Sequence, residues 1–264
     1  MIKIACQAIV YGNMNLFDDL ENILQSMGGI GYDGAEIGSR FLDTDEPEYY
    51  AEQLAKNHLA LPAIHVGGDF LDRDSVAFQL EEIGETIQFA KKLGCRYIYL
   101  SGSYREGKED ADYLHEARLY SEIGKRCLAE GLALCYHNHD WEFKNGGRGM
   151  DLLLDNVDPA LMKLVPDVGW IAAAGADPAA FVRAHADRIA ALHFKDFKHG
   201  GTPRAFTELG TGITDFPAVY ALARQLCVKD DDFWITAEQD ETALPPAESA
   251  AINYAYIRGL ADGI

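Results

Sequence analysis

Short apolar runs alternate with longer amphipathic ones along the whole chain. Eight of the short runs read as buried strands: residues 2–8, 34–37, 61–66, 97–101, 132–137, 163–167, 190–194 and 234–238. The stretches between them carry helical periodicity. Val76, Leu80, Ile83, Ile87 and Ala90 recur at intervals of three and four, while Glu81, Glu82, Glu85, Lys91 and Lys92 fill the other faces. Leu16, Leu20, Ile23 and Met27 predict one first helix. Asp177 before Pro178 and Asp215-Phe216-Pro217 are start signals, and Gly94 is a stop signal between a helix and the strand that follows it.

Eight strand–helix alternations in 264 residues predict an α/β fold, a closed (β/α)₈ TIM barrel filling one domain over residues 1–264. No Pro-, Ser- or Gly-rich linker divides the chain. A doubly wound open sheet is the rival. It calls for a glycine-rich phosphate loop after its first strand, and here that strand runs into Ala8-Ile9-Val10-Tyr11-Gly12-Asn13.

Composition narrows the function. Hydrophobic residues make up 48%, enough for a sizeable core, and the formal charge is −19. Such an acidic surface repels phosphate backbones and anionic membranes, so neither nucleic acid nor membrane is an expected partner. No basic cluster marking a phosphate pocket is visible in the sequence. The cysteines Cys6, Cys95, Cys127, Cys135 and Cys227 lack CxxC spacing, which suits reduced thiols in a cytoplasmic protein. The opening apolar run is interrupted by Gln7, unlike a signal peptide, and no run approaches a membrane span.

The chemistry gathers where strands end. The fifth strand empties into Tyr136-His137-Asn138-His139-Asp140-Trp141-Glu142-Phe143, and the next three end at Asp167, His193 and Glu238. In a barrel these C-terminal ends meet on one face. Glu142, Asp167, His193 and Glu238 then offer three carboxylates and one imidazole to a divalent ion, Mn²⁺ first, with Mg²⁺, Co²⁺ or Zn²⁺ as alternatives. Each residue also has an ordinary role to set against this one. Glu142 would be a solvated loop acid, Asp167 a turn cap, His193 a core histidine and Glu238 half of an ion pair.

Tyr-His-Asn-His-x-x-Glu-Phe, Pro-Asp-x-Gly-Trp, His-Phe-Lys-Asp and Glu-Gln-Asp together resemble the motifs of the xylose isomerase-like TIM barrels, often labelled sugar phosphate isomerases/epimerases. Gly34-Ala35-Glu36-Ile37-Gly38, and Gly210-Thr211-Gly212 before Asp215-Phe216-Pro217, fit the same pattern. The resemblance spans nearly the whole chain and implies a metal-dependent enzyme acting on a small carbohydrate. It places Asp167, His193 and Glu238 at metal-ligand positions, and it leaves a homo-oligomer open. One departure stands out. Ketose 3-epimerases carry a metal-binding glutamate at the end of strand five, where this chain has His137. Glu142, reaching back, is the expected fourth ligand, with His137 as the alternative.

The expected reaction is isomerisation or epimerisation of a keto-sugar through an enediolate. Glu238 is the base, and His137 or His139 returns the proton. The alternative is a lyase of the inosose-dehydratase type, in which the same intermediate loses a hydroxyl. Lys195, two residues after His193 and on the same strand face, would neutralise an enolate or bind a hydroxyl. Glu36, His65 and Trp170 are expected to shape the substrate pocket, and Arg204 to cover it from a long loop. An endonuclease IV-like nuclease is disfavoured by the charge. A barrel that binds sugar or metal without turnover is the non-enzymatic reading.

Overall fold

The computed structural model describes residues 1–201, 204–227 and 232–263. Its strands are β1 (Ile2–Gln7), β2 (Gly34–Gly38), β3 (Ala63–Val66), β4 (Tyr97–Ser101), β5 (Ala133–His137), β6 (Met162–Leu164), β7 (Ala191–Phe194), the short pair β8 (Asp196–Phe197) and β9 (Phe206–Thr207), and β10 (Phe233–Ala237). The helices are α1 (Asn13–Asp18), α2 (Leu20–Ile30), α3 (Pro47–Lys56), α4 (Val76–Lys92), α5 (Asp110–Ala129), α6 (Lys144–Asn156), α7 (Val168–Ala173), α8 (Pro178–Ala184), α9 (Phe216–Cys227) and α10 (Pro246–Asp262).

Eight parallel strands form one sheet in the order β6-β5-β4-β3-β2-β1-β10-β7. Its two edges are joined by the parallel bridges Leu164–Ile189 and Asp167–His193, which nearly close it into a TIM barrel. All eight predicted strands are present. The single first helix is not: Asp19 (φ −145°) ends α1 by bonding back to Asn15 O and receives the Asn22 side chain, which starts α2 afresh. The predicted stops and starts hold. Gly94 sits at φ 73°, and the Asp177 carboxylate accepts from Ala180 N at 3.0 Å.

The strands alternate with period two. Outward residues such as Ile4, Ile37, Ile64, Leu100, Leu134, Leu192 and Ile235 join Leu24, Leu54, Ile87, Ile123 and Ile257 of the helices in the main core. Inward residues form a second cluster in the barrel: Ala5, Ala63, Tyr97, Tyr99, Cys135, Val165, Ala191 and Trp234. Small residues on some strands admit large rings from others. Gly34 shows why, since a Cβ there would lie 2.9 Å from the Trp234 ring. Above this plug, the inward positions at the C-terminal ends are polar: Gln7, His65, Ser101, His137, Asp167, Lys195 and Glu238. The apolar interior is thus a floor, and the next layer up is the site.

Candidate active site and metal centre

His137, Asp167, His193 and Glu238 each turn one ligand atom to a common point, and these atoms all lie within 4.8 Å of one another. Three of the residues are fully enclosed or nearly so, and Glu238 opens slightly onto a cavity of about 330 Å³. Asp167 is fixed from both sides. Asn138 clasps its backbone, donating to its carbonyl at 3.2 Å and accepting from its N–H at 3.1 Å. Its Oδ1 caps α7 by accepting from Trp170 N at 3.0 Å. The turn-capping role and the ligand position therefore belong to different oxygens of the same carboxylate.

The site residues close a ring around the barrel mouth. Glu36 Oε1 meets His65 Nδ1 at 2.9 Å, and His65 Nε2 meets Ser101 Oγ at 2.8 Å. Ser101 Oγ lies 3.4 Å from His137 Nδ1, and His137 Nε2 lies 3.1 Å from Glu238 Oε2. That same oxygen is 2.6 Å from His193 Nδ1, and His193 Nε2 is 2.8 Å from Glu36 Oε2.

Burial alone would neutralise these groups, but their neighbours outweigh it. His193 is raised to about 10 by Glu36 and Glu238, and Glu36 is lowered to about 2 by His193 and His65. His137 is raised by Glu238 and Asp167, and Glu238 is lowered by Lys195 and His137. Lys195 stays charged against burial because Asp240, Glu238 and Asp167 surround it, at 2.8, 3.2 and 3.5 Å. Burial dominates at His139, which is held well below the usual range and so neutral.

The donor set fits a divalent cation. Asp167 Oδ2 is buried without a hydrogen-bond partner, His137 Nε2 and Lys195 Nζ each standing 3.5 Å off. Two imidazoles and two carboxylates suit an ion of borderline hardness. Protonated imidazoles balance the carboxylates in the ring, a role a bound cation takes over as it displaces their protons.

Glu142 departs from expectation. Tyr136 points outward from β5, and its hydroxyl donates to Glu142 Oε1 at 2.7 Å while His139 N donates to Oε2 at 2.8 Å. Glu142 therefore lies on the outer side of the strand, and the cluster takes its fourth member from His137. Burial raises the Glu142 carboxyl to about 7. Trp170 also departs: it is buried among Phe197 and Phe206, with Lys195 Nζ 5.1 Å from its ring centre, and does not line the cavity. His65, His137, His139, Arg204 and Glu238 do line it. Glu36 sits behind His65 and His193. Ser101 and Asp240 were not anticipated. Ser101 ends β4 on its inward face, a position the strand-end rule already covers, and Asp240 lies two residues beyond Glu238.

The family model of the xylose isomerase-like TIM barrels matches residues 26–258. The chain belongs to the xylose isomerase-like TIM barrel family. Within this family it is similar to an inosose dehydratase from Halalkalibacterium halodurans, 32% identical over 90% of this chain and 86% of that protein. Its fold is similar to that of a sugar phosphate isomerase/epimerase from Parabacteroides distasonis (TM-score 0.78, 20% identity, 97% and 93% of the two chains). It is also similar to that of the IOLI protein solved with a bound zinc atom (TM-score 0.77, 16% identity, 99% and 98% of the two chains). The chain sets its polar layer at the C-terminal mouth of the barrel, the face where TIM-barrel active sites lie. Among the described residues no helix is long and apolar enough to cross a membrane.

Proposed function

We propose that this xylose isomerase-like barrel is a metal-dependent lyase that removes water from a small polyhydroxylated ketone, of the cyclic polyol or keto-sugar class. The observation that carries this reading is the end of β5, where an imidazole, His137, stands in the cluster beside Glu238 and Asp167. Epimerisation by two carboxylates needs an acid/base carboxylate on each face of the substrate. Here Glu142, the nearest carboxylate after β5 on a matching motif position, is turned to the outside of the barrel. The similarity to an inosose dehydratase at 32% identity supports the same choice.

His137, Asp167, His193 and Glu238 would hold the ion, and the zinc in the IOLI protein supports a divalent one. Such an ion supplies Lewis-acid polarisation, which acidifies the C–H next to the substrate carbonyl. Glu238 takes that proton through Oε1, and the C–H electron pair moves onto the carbonyl oxygen as an enolate. Lys195, 3.2 Å from the same Oε1, keeps a fixed positive charge beside the developing anion. As the enolate collapses, the β C–O bond breaks and the departing hydroxyl leaves as water. Asp240, which lines the cavity and holds the Lys195 ammonium at 2.8 Å, is placed to relay a proton to it. His139, neutral and stacked on Trp141, offers the substrate a rigid hydrogen-bonding edge.

The second reading, an isomerase or epimerase, rests on the shared intermediate and on the fold shared with a sugar phosphate isomerase/epimerase. Incubating the Mn²⁺-loaded protein with a cyclic polyol ketone in D₂O separates the two. Loss of one water by mass is expected. Deuterium incorporation and epimer formation without loss of water would overturn the lyase reading in favour of the isomerase.

A further inference from the structure

We propose that the cavity between the β4–α5 and β5–α6 connections is a second binding site, for a phosphomonoester, separate from the catalytic cavity. It has a volume of about 290 Å³ and shares no lining residue with the catalytic one. Four cations face it, Arg105, Lys108, Lys144 and Arg148, against the two carboxylates Glu106 and Asp110. Among the lining residues cations thus outnumber carboxylates, in a chain of charge −19. The sequence hides it, because the cations come in two pairs far apart and only the barrel sets one pair over the other.

The four cations are not equally committed. Lys108 is buried, 2.5 Å from Glu116, and donates to Ser103 O, so it anchors the β4–α5 connection. Asp110 engages Nε and Nη2 of Arg148. Arg105 lies 3.8 and 3.9 Å from Asp69 and Asp112, beyond good hydrogen-bonding distance, and Lys144 lies 3.4 Å from Asp140. A phosphomonoester brings close to two negative charges and three acceptor oxygens, and it can engage Arg105, Lys144 and Arg148 together. Lysine and arginine in this combination favour phosphate, as point charge and planar fork. The organic part of the ligand has its own wall. Tyr104 is 64% exposed and packs at 5.3 Å against Trp141. Trp141 in turn stacks on His139 of the catalytic cavity at 4.1 Å and 7°, so this pair of rings stands between the two cavities.

The test is a calorimetric titration of the whole chain with inorganic phosphate and with phenyl phosphate at low salt. Saturable binding is expected with a Kd of about 1 mM or below. It should be tighter for phenyl phosphate and weaken with salt. Arg105→Ala and Lys144→Ala remove side chains that are 43% and 59% exposed, so the fold is spared, and each should weaken binding about tenfold. Arg40→Ala and Arg204→Ala, at the catalytic cavity, should leave it unchanged. Absence of saturable binding overturns the proposal. So does binding that survives Arg105→Ala and Lys144→Ala but is lost in Arg204→Ala, since the phosphate would then sit in the catalytic cavity. Neither outcome depends on whether the enzyme is a lyase or an isomerase.

Discussion

Tyr136 donates a 2.7 Å hydrogen bond to Oε1 of Glu142, on the outer side of the barrel wall. A strand alternates sides with every residue, so Tyr136 and His137 face opposite ways, and whatever Tyr136 holds is kept from the mouth. Glu142→Gln should therefore retain a stoichiometric divalent ion. His137→Ala should weaken ion binding by more than the roughly 10–100-fold typical of losing a group behind a ligand. Metal analysis after dialysis decides between them. Loss of the ion in Glu142→Gln with retention in His137→Ala would restore Glu142 as the ligand.

The same carboxylate makes stability depend on pH. Burial raises Glu142 from 4.5 to about 7, so between these values the folded chain binds a proton that the unfolded chain has released. Its contribution is fully present below pH 4.5 and is lost as pH rises through about 7. Glutamine mimics the protonated acid. Relative to the natural chain, Glu142→Gln should gain on the order of 3 kcal/mol in unfolding free energy from pH 4.5 to pH 8. Urea titrations in the presence of a chelator check this, and a pH-independent difference would refute it.

The fold was legible because its signals are local: eight apolar runs, and helix stops such as Gly94, which takes φ 73°. Most of the site was legible for a related reason. Parity along each strand and the barrel rule together place His137, Asp167, His193 and Glu238 on one face. What escaped depends on contacts across the chain. Glu142 is set by a hydroxyl on the outer face of β5, and Trp170 by Phe197 and Phe206. The break at Asp19 is hidden because Leu16, Leu20, Ile23 and Met27 keep helical spacing across it. The cationic cavity required Arg105 and Arg148 to be brought together by packing of adjacent connections.

Gly169 of the Pro-Asp-x-Gly-Trp motif lies against the backbone of the neighbouring strand end. A Cβ there would fall 2.1 Å from the Lys195 carbonyl oxygen and 2.6 Å from its carbon. Backbone atoms cannot rotate aside as a side-chain tip can, so either α7 or Lys195 must move. Gly169→Ala should cost about 1–3 kcal/mol of stability. It should also depress turnover in the fraction that stays folded, because Lys195 holds its charge beside Glu238. Denaturant unfolding alongside activity per folded molecule tests both, and an undiminished midpoint would contradict the packing argument.

Glu36 touches no ligand atom position directly in the cavity, yet it reaches His193 Nε2 at 2.8 Å and His65 Nδ1 at 2.9 Å. Held at about 2, it is ionised at any working pH, and its charge keeps His193 basic. A carboxylate behind a ligating imidazole both fixes the ring and strengthens its lone pair. Glu36→Gln keeps the shape and removes the charge. Divalent-ion affinity should fall roughly 10–100-fold, while the four ligand residues stay in place. Competition against a chromogenic chelator measures that loss directly. The ion-free variant should also melt lower than the ion-free natural chain, because a protonated His193 then faces one carboxylate, Glu238, where it faced two. Unchanged affinity together with an unchanged melting point would mean that the Glu36–His193 contact does not position the site.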